Sequence, residues 1–472
     1  MRLLCLSSYE LGQQPLALAG QVALLEAAGH EVAAADLSVE GFPAEAAKWA
    51  EAVVFSVSMH TATELSLQAA RRIVAEHGRR PFAFLGLYAP ALEGHSLVAP
   101  GDLLAAGEVG ATLSSWVEGL PAGEATKQPV RVEIGPPHLP PGPLPARHRL
   151  PPLERYAHYS EGSLSRLVAG VETTRGCNHS CRHCPVAPIY KGRSRQLDLE
   201  AVLADIDQAV DLGAGHITFV DPDFLNRPRH AMAVATELAR RHPGVSFDAT
   251  IKIEHLLRHA DLLEPLAALG LTLVTSAFES TDDAVLALLE KGHTAAEARR
   301  AVALSRRAGL ELRPSWLPFN PWTTLQSLSS LLTFTARADL VASTDAVQYS
   351  IRLLLPAGSL LLEQPDPVLA ASLAGASPAG SVAWRHRHRA IDELQEEVAA
   401  IAAGDAEGND PAGSFGAIWQ AVRAAGADLP AEPPPPDPDL ASARAGSDRP
   451  RLSEAWFCCA EPTAGQIEAV AS

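Results

Sequence analysis

Three cysteines fall within eight residues, C-N-H-S-C-R-H-C at 177–184, directly behind the apolar run LVAGVETT. This spacing constrains the chain more than any other feature. A loop carrying Cys177, Cys181 and Cys184 has to fold back on itself at the end of a strand, so that its three thiols face one centre. The remaining cysteines lie far off: Cys5 alone, and the adjacent pair Cys458 and Cys459. The start, MRLLCLSSYE, is too short and too quickly polar for a signal peptide and reads as a first buried strand. A cytoplasmic location is therefore expected, where thiols stay reduced and six cysteines mean chemistry or burial rather than disulfides.

The motif sits inside a twofold alternation of apolar strands and helices. Residues 1–120 give the runs LLCLS, EVAAAD, AVVFSVS, FAFLGL and DLLAAG with helical stretches between them, which predicts a doubly wound parallel sheet. Ligands of such sheets sit beyond the carboxyl ends of strands, here near Ser7–Gln14, Ser58–Thr61 and Gly86–Ala89. Residues 121–150 contain PPHLPPGPLPARHRLPP and read as a proline-rich linker. Over 151–360 a second alternation follows, with strands LVAGVETT, HITFVD, VSFDATIK, LTLVTSAFE, LELRPSWL and AVQYSIRLL. Six strand–helix units predict a partial (β/α) barrel, with chemistry at the carboxyl ends of its strands. Residues 361–430 turn helical, and 431–472 hold the spacer EPPPPDPD, expected to be stiff and solvated, and the tail WFCCAEP.

A length of 472 residues with 47% hydrophobic content suits two or three domains with sizeable cores. The formal charge of −17 argues against general binding to nucleic acid or anionic membranes. No stretch approaches the roughly 20 apolar residues of a membrane span.

Three thiolates on one loop are one short of the four irons of a [4Fe–4S] cubane, which leaves one iron open to a chelating cosubstrate. A structural zinc ion on the three cysteines with His179 or His183 is the alternative. Zinc modules pair two CxxC-like halves at longer separation, and no second half exists here.

With the motif, its strand and the following units in view, residues 168–355 resemble the core of radical S-adenosylmethionine (SAM) enzymes. That resemblance implies a [4Fe–4S] cluster on Cys177, Cys181 and Cys184, SAM as cosubstrate, and a reductant such as flavodoxin or ferredoxin. The family usually has an aromatic residue where His183 stands. Asp221 and Asp223 in VDPDF fall where the family grips the SAM amino group. Lys252 ends the third strand and is matched to the SAM carboxylate, Glu279 with Ser276 to the ribose, and Arg313 to a further contact. For each, a capping residue or a surface ion pair is the competing reading.

The sheet domain ahead of the barrel resembles that of the cobalamin-binding class. The Asp-x-His-x-x-Gly loop that ligates cobalt in some cobalamin proteins is absent, and His60 alone follows the third strand. Adjacent soft thiols in WFCCAEP suit a thiophilic centre, because a disulfide between sequence neighbours is strained. The ending resembles the CUAEP/CCAEP-tail radical SAM proteins, in which the first cysteine is sometimes selenocysteine; that group includes an arsinothricin-biosynthesis enzyme. The resemblance implies transfer of the 3-amino-3-carboxypropyl group of SAM to trivalent arsenic, with Cys458, Cys459 and Glu461 holding arsenite. A cobalamin-dependent methyltransferase acting on an organic metabolite is the alternative. A noncatalytic metal-binding or arsenic-sensing protein is a third reading, disfavoured by the solvent-open cluster loop on a barrel.

Overall fold

The computed structural model describes residues 1–120, 130–131, 135–376, 380–405 and 410–454. Apolar runs with no polar alternation are covered on both faces, as in a parallel sheet between helices. They form β1 (Arg2–Ser7), β2 (Glu31–Asp36), β3 (Ala52–Ser56), β4 (Phe82–Leu85) and β5 (Leu103–Ala106). The sheet is parallel in the order β2-β1-β3-β4-β5-β6. Leu3 and Cys5 of β1 pack against helices Leu16–Ala27 and Gly110–Gly119, whereas Leu4 and Leu6 point to the opposite core, with helix His60–His77. Burial pushes the Cys5 thiol up to about 12, so this cysteine is an inert core residue. The short β6 (Val130–Arg131) lies in the segment expected to be only linker; it pairs just ahead of the prolines, where N–H groups are still available. Because β1 sits between β2 and β3, the connections after β1 and β3 leave toward opposite faces, and a crevice opens at the carboxyl ends of these strands.

The second sheet starts as a hairpin of β7 (His158–Glu161) and β8 (Leu164–Val171). A two-stranded excursion follows, β9 (Thr174–Gly176) with β10 (Ser194–Gln196). Next come β11 (His216–Phe219), β12 (Ser246–Thr250), β13 (Leu271–Glu279) and β14 (Glu311–Trp316), parallel to β8 in the order β8-β11-β12-β13-β14. Helices Leu199–Asp211, Pro228–Arg241 and Ala295–Arg307 cover the outside, and Ile206, Val234 and Val302 join Phe219, Phe247 and Leu312 in one core. The result is a curled half-barrel. Its sixth position, expected over AVQYSIRLL, is reduced to a turn at Ala346–Tyr349 and one parallel bridge between Arg352 and Phe319. Pro318 and Pro321 flank the pairing residue and have no N–H to extend the ladder.

Beyond the barrel, β15 (Leu373–Ala376) and β16 (Val382–Trp384) form a hairpin, and helices Arg389–Ala403 and Pro411–Ala424 join the barrel core through Val398, Phe415 and Trp419. The proline spacer is exposed to solvent along most of its length, yet docked at its end. Its acidic residues Asp437 and Asp439 pair with Arg299, and Leu440 behind them is fully buried. The chain then forms β17 (Arg451–Leu452), antiparallel to β7. Since β7 is itself antiparallel to β8, β17 runs with the barrel strands, toward their carboxyl ends.

The two sheets are locked together by one buried cation. Arg147 holds both oxygens of Asp205 at 2.7 Å, donates to Gly170 O on β8, and reaches Gln14 in the loop after β1. A Cβ at Gly170 would stand 2.5 Å from Gln13 Oε1, so the end of that side chain would have to shift. Removing one partner of a buried pair strands the other charge at a cost of about 3–5 kcal/mol. Arg147→Met is therefore expected to lower the thermal midpoint sharply, and Arg147→Met with Asp205→Leu to recover most of the loss, as read by calorimetry.

Candidate active site

The cysteine loop is a hairpin insert: β9 leads into it, helix Val186–Tyr190 fills it, and β10 leads out. Gly176 has φ +77°, and a Cβ would lie 2.3 Å from the Tyr190 ring and 2.5 Å from Arg193 O, so no side chain fits. Asn226 braces the loop from the turn after β11. Its Oδ1 accepts from Asn178 N at 3.0 Å, its carbonyl accepts from Asn178 Nδ2 at 2.9 Å, and Asn178 Oδ1 accepts from Ser194 N. On the far side Arg182 N donates to Leu289 O, and its guanidinium reaches Gln364 O at 2.7 Å. None of Cys177, Cys181 and Cys184 on this braced hairpin is in a disulfide. Ala106 of β5 clusters with Val186, Ile189 and Tyr190 of the hairpin, and Leu87, Cys177 and Cys184 pack against that cluster, so the sheet domain touches the loop directly.

Lys291 and Glu279 form a buried ion pair at 3.2 Å, and His183 Nε2 stands 3.1 Å from the same oxygen. Burial alone would raise Glu279, but Lys291 and His183 outweigh it and hold the carboxyl down at about 2. Burial would lower Lys291, but Glu279 and the neighbouring Cys181 and Cys184 raise it. A fixed positive charge therefore faces two of the thiols, which suits thiolate ligands of a metal cluster. Glu279 sits at φ +61° where the register of β13 shifts, a strained placement of the kind found at ligand sites.

The other sequence candidates separate by what they hold. Asp223 caps the turn after β11, accepting from Leu225 N, and receives Lys252 N at 3.2 Å. The Lys252 ammonium lies 3.5 Å from Glu254. Asp221 is fully buried and accepts from Thr173 N and from the hydroxyls of Thr173 and Thr174, tying the end of β8 to that of β11. Its burial raises the carboxyl to about 7. Ser276 donates to Ile251 O at 2.7 Å. Arg313 pairs with Asp345 and donates to Glu454 O at 2.8 Å. So His183, Asp223, Lys252 and Glu279 gather at the mouth, whereas Asp221 and Ser276 are occupied by the barrel's own frame. Asn226, Lys291 and His293 were not singled out in the sequence. Both ring nitrogens of buried His293 lack partners, and burial, then Lys291 and Lys252, push it down to about 4.

Glu454 closes the described chain at the seam between the sheets. Tyr9 Oη donates to its carboxylate at 2.5 Å, and a Cβ on Gly12 would meet it at 2.7 Å. A cavity of about 370 Å³ beside it is lined by Tyr9, Leu65, Arg155, Tyr156, Ser453 and Glu454 among others. Cys458, Cys459 and Glu461 lie outside the described residues.

Three thiols on one braced loop, with a buried cation beside them, fit a [4Fe–4S] cluster. Residues 171–316 match the Radical SAM superfamily. By overall structure the chain is similar to the cobalamin-dependent S-adenosylmethionine radical enzyme OxsB with aqua-cobalamin and S-adenosylmethionine bound, at a TM-score of 0.64 and 13% identity over 84% of this chain. It spans 66% of the length of that OxsB chain. It is also similar to the radical S-adenosylmethionine methyltransferase TsrM from Kitasatospora setae, with cobalamin and a [4Fe–4S] cluster bound, at a TM-score of 0.52 and 17% identity, covering 71% of each chain. At these identities the likeness is one of fold. Among the described residues no helix is long and apolar enough to cross a membrane. The half-barrel, joined to a parallel sheet, thus carries over residues 171–316 a match to the Radical SAM superfamily, which implies a [4Fe–4S] cluster and S-adenosylmethionine.

Proposed function

We propose that this enzyme cleaves SAM reductively and transfers its 3-amino-3-carboxypropyl group to trivalent arsenic held by the tail. The observation that carries the reading is the course of the chain up to Glu454. β17 runs toward the barrel mouth, Arg313 and Tyr9 hold Glu454 at the seam, and Cys458 follows four residues later. Four extended residues span at most about 14 Å. A pair of soft thiols on such a leash suits a soft, thiophilic acceptor.

In this reading Cys177, Cys181 and Cys184 hold the cluster, which when bound supplies the electron that opens a carbon–sulfur bond of the sulfonium. Lys291 offsets the thiolate charge. Lys252 meets the SAM carboxylate, and Glu279 with His183 the ribose. Asp221 and Ser276 keep the strand ends in place, and Arg313 fixes the tail. Cys458 and Cys459 ligate arsenic, with Glu461 beside them. Cleavage at Cγ leaves methylthioadenosine and a carbon radical that bonds to arsenic; the adduct then returns one electron to the centre that supplied it and releases a proton, leaving pentavalent arsenic and a reaction that is redox-neutral overall.

A second reading, cobalamin-dependent methylation of an organic metabolite, draws on the OxsB and TsrM folds and on the crevice at the carboxyl end of the first sheet. His60 stands there, but it is 2% exposed with its ring 6.1 Å from Tyr88, and burial lowers it to about 4. This neutral imidazole is sealed, so the second reading needs cobalamin bound without a protein imidazole on cobalt.

The readings part at the nucleoside product. With dithionite, SAM and arsenite under anaerobic conditions, chromatography should show methylthioadenosine and an aminocarboxypropyl arsenical. Predominant 5′-deoxyadenosine with arsenite unchanged would favour the second reading. A barrier difference of about 1.4 kcal/mol already gives tenfold selectivity between the bonds. Cys458→Ser with Cys459→Ser should spare iron content yet weaken arsenite binding in equilibrium dialysis, because hydroxyls are poor ligands for a soft centre; unchanged affinity would remove arsenic from the tail. Gly176→Ala should cost iron incorporation, since the Cβ collides with Tyr190 and Arg193. Full iron content in that variant would show that the hairpin tolerates rearrangement.

A further inference from the structure

A second group of metal-type donors stands beside the cysteine hairpin and uses none of its thiols. His179 comes from within the loop, Asp223 from the turn after β11, and His255 from helix Ile253–Arg258 after β12. Three separate segments thus bring two imidazoles and one carboxylate together, with donor atoms all within 4.8 Å of one another. His255 Nδ1 lies 2.9 Å from Asp223 Oδ2, and His179 Nε2 lies 3.8 Å from the same oxygen. Donors held about 2.1 Å from one ion at octahedral or tetrahedral angles stand roughly 3.0–3.4 Å apart, which these separations bracket.

The contacts are not ordinary hydrogen bonds. His255 is 4% exposed and Asp223 1%, yet His255 Nδ1 and His179 Nε2 are both buried without a hydrogen-bond partner. A buried nitrogen close to a carboxylate but misaligned for donating to it is costly unless a third body satisfies both. The surroundings suit a cation. His179 Nδ1 lies 3.5 Å from Glu254, an outer partner of the kind that orients ligating histidines. The fixed positive charges beside it, Lys252 and Arg258, are both paired with Glu254. The His259 ring lies 5.6 Å from that of His255.

We infer that His179, Asp223 and His255 form a mononuclear site for a divalent first-row transition ion such as Fe²⁺, Zn²⁺ or Co²⁺, separate from the three thiolates. Two imidazoles with one carboxylate leave further positions open to water or to a chelating ligand. The ion fastens the middle of the cysteine loop to the ends of β11 and β12.

The test uses the full-length chain with Cys177, Cys181, Cys184, Cys458 and Cys459 replaced by Ser, and in parallel the native chain freed of iron with its accessible thiols alkylated. Each preparation should bind about one Co²⁺ per chain, with ligand-field bands and no thiolate charge-transfer band. His255→Asn and Asp223→Asn should each weaken Zn²⁺ binding by about tenfold or more in equilibrium dialysis. Absence of a bound ion in both preparations, or unchanged Zn²⁺ affinity in both ligand variants, overturns the assignment.

Discussion

The barrel mouth depends on a hairpin too tight to carry a side chain at Gly176. That residue turns β9 out of the barrel at φ +77°, with the Tyr190 ring and the Arg193 carbonyl filling the space a Cβ would need. Asn226 then stitches the hairpin to the neighbouring strand end through both its side chain and its carbonyl. A loop of eight residues with three thiols has no core of its own, so its shape has to be borrowed from the strands below it. Asp221 supplies the footing: it joins β8 to β11 through three donors and stays buried because they satisfy it.

Two buried cations set the arrangement around that loop. Arg147 fixes the sheet domain on β8, and Ala106 of that domain packs with Val186, Ile189 and Tyr190 of the hairpin. Lys291 is held by Glu279 and faces two of the thiols. Charges this deeply placed contribute little net stability, because desolvation consumes the Coulombic gain. What they supply here is position. The same applies to the carboxyl-terminal segment, where acidic residues on Arg299 and the short β17 steer the chain from the base of the barrel to Glu454 at the seam.

Much of the architecture was legible in the residues, because strands buried on both faces must be written as uninterrupted apolar runs and thiols on one loop need a fixed spacing. The sixth barrel position misled, since AVQYSIRLL has strand composition while the prolines that prevent its pairing belong to a different segment. EPPPPDPD is as exposed as its composition implies, but nothing within it shows that two of its aspartates pair with Arg299, far off in sequence. Among the site candidates, residue type identified polar groups at strand ends but not what each would hold. Asp221 and Asp223 are two positions apart, yet one serves the frame and the other faces the mouth. Lys291 and His293 follow a helix beyond β13, and only the fold brings them to the cysteines. His179 and His255 carry no shared spacing at all.

The central claim is that the cysteine hairpin holds a [4Fe–4S] cluster with one iron open to SAM. Electron paramagnetic resonance of the anaerobically reconstituted, dithionite-reduced protein addresses it directly, recorded before and after adding SAM labelled in its amino and carboxylate groups. The account predicts a reduced-cluster signal whose shape changes with SAM and acquires couplings from the label, and which disappears when Cys177, Cys181 and Cys184 are replaced together. A cluster signal indifferent to SAM, or one that survives the triple replacement, would contradict it.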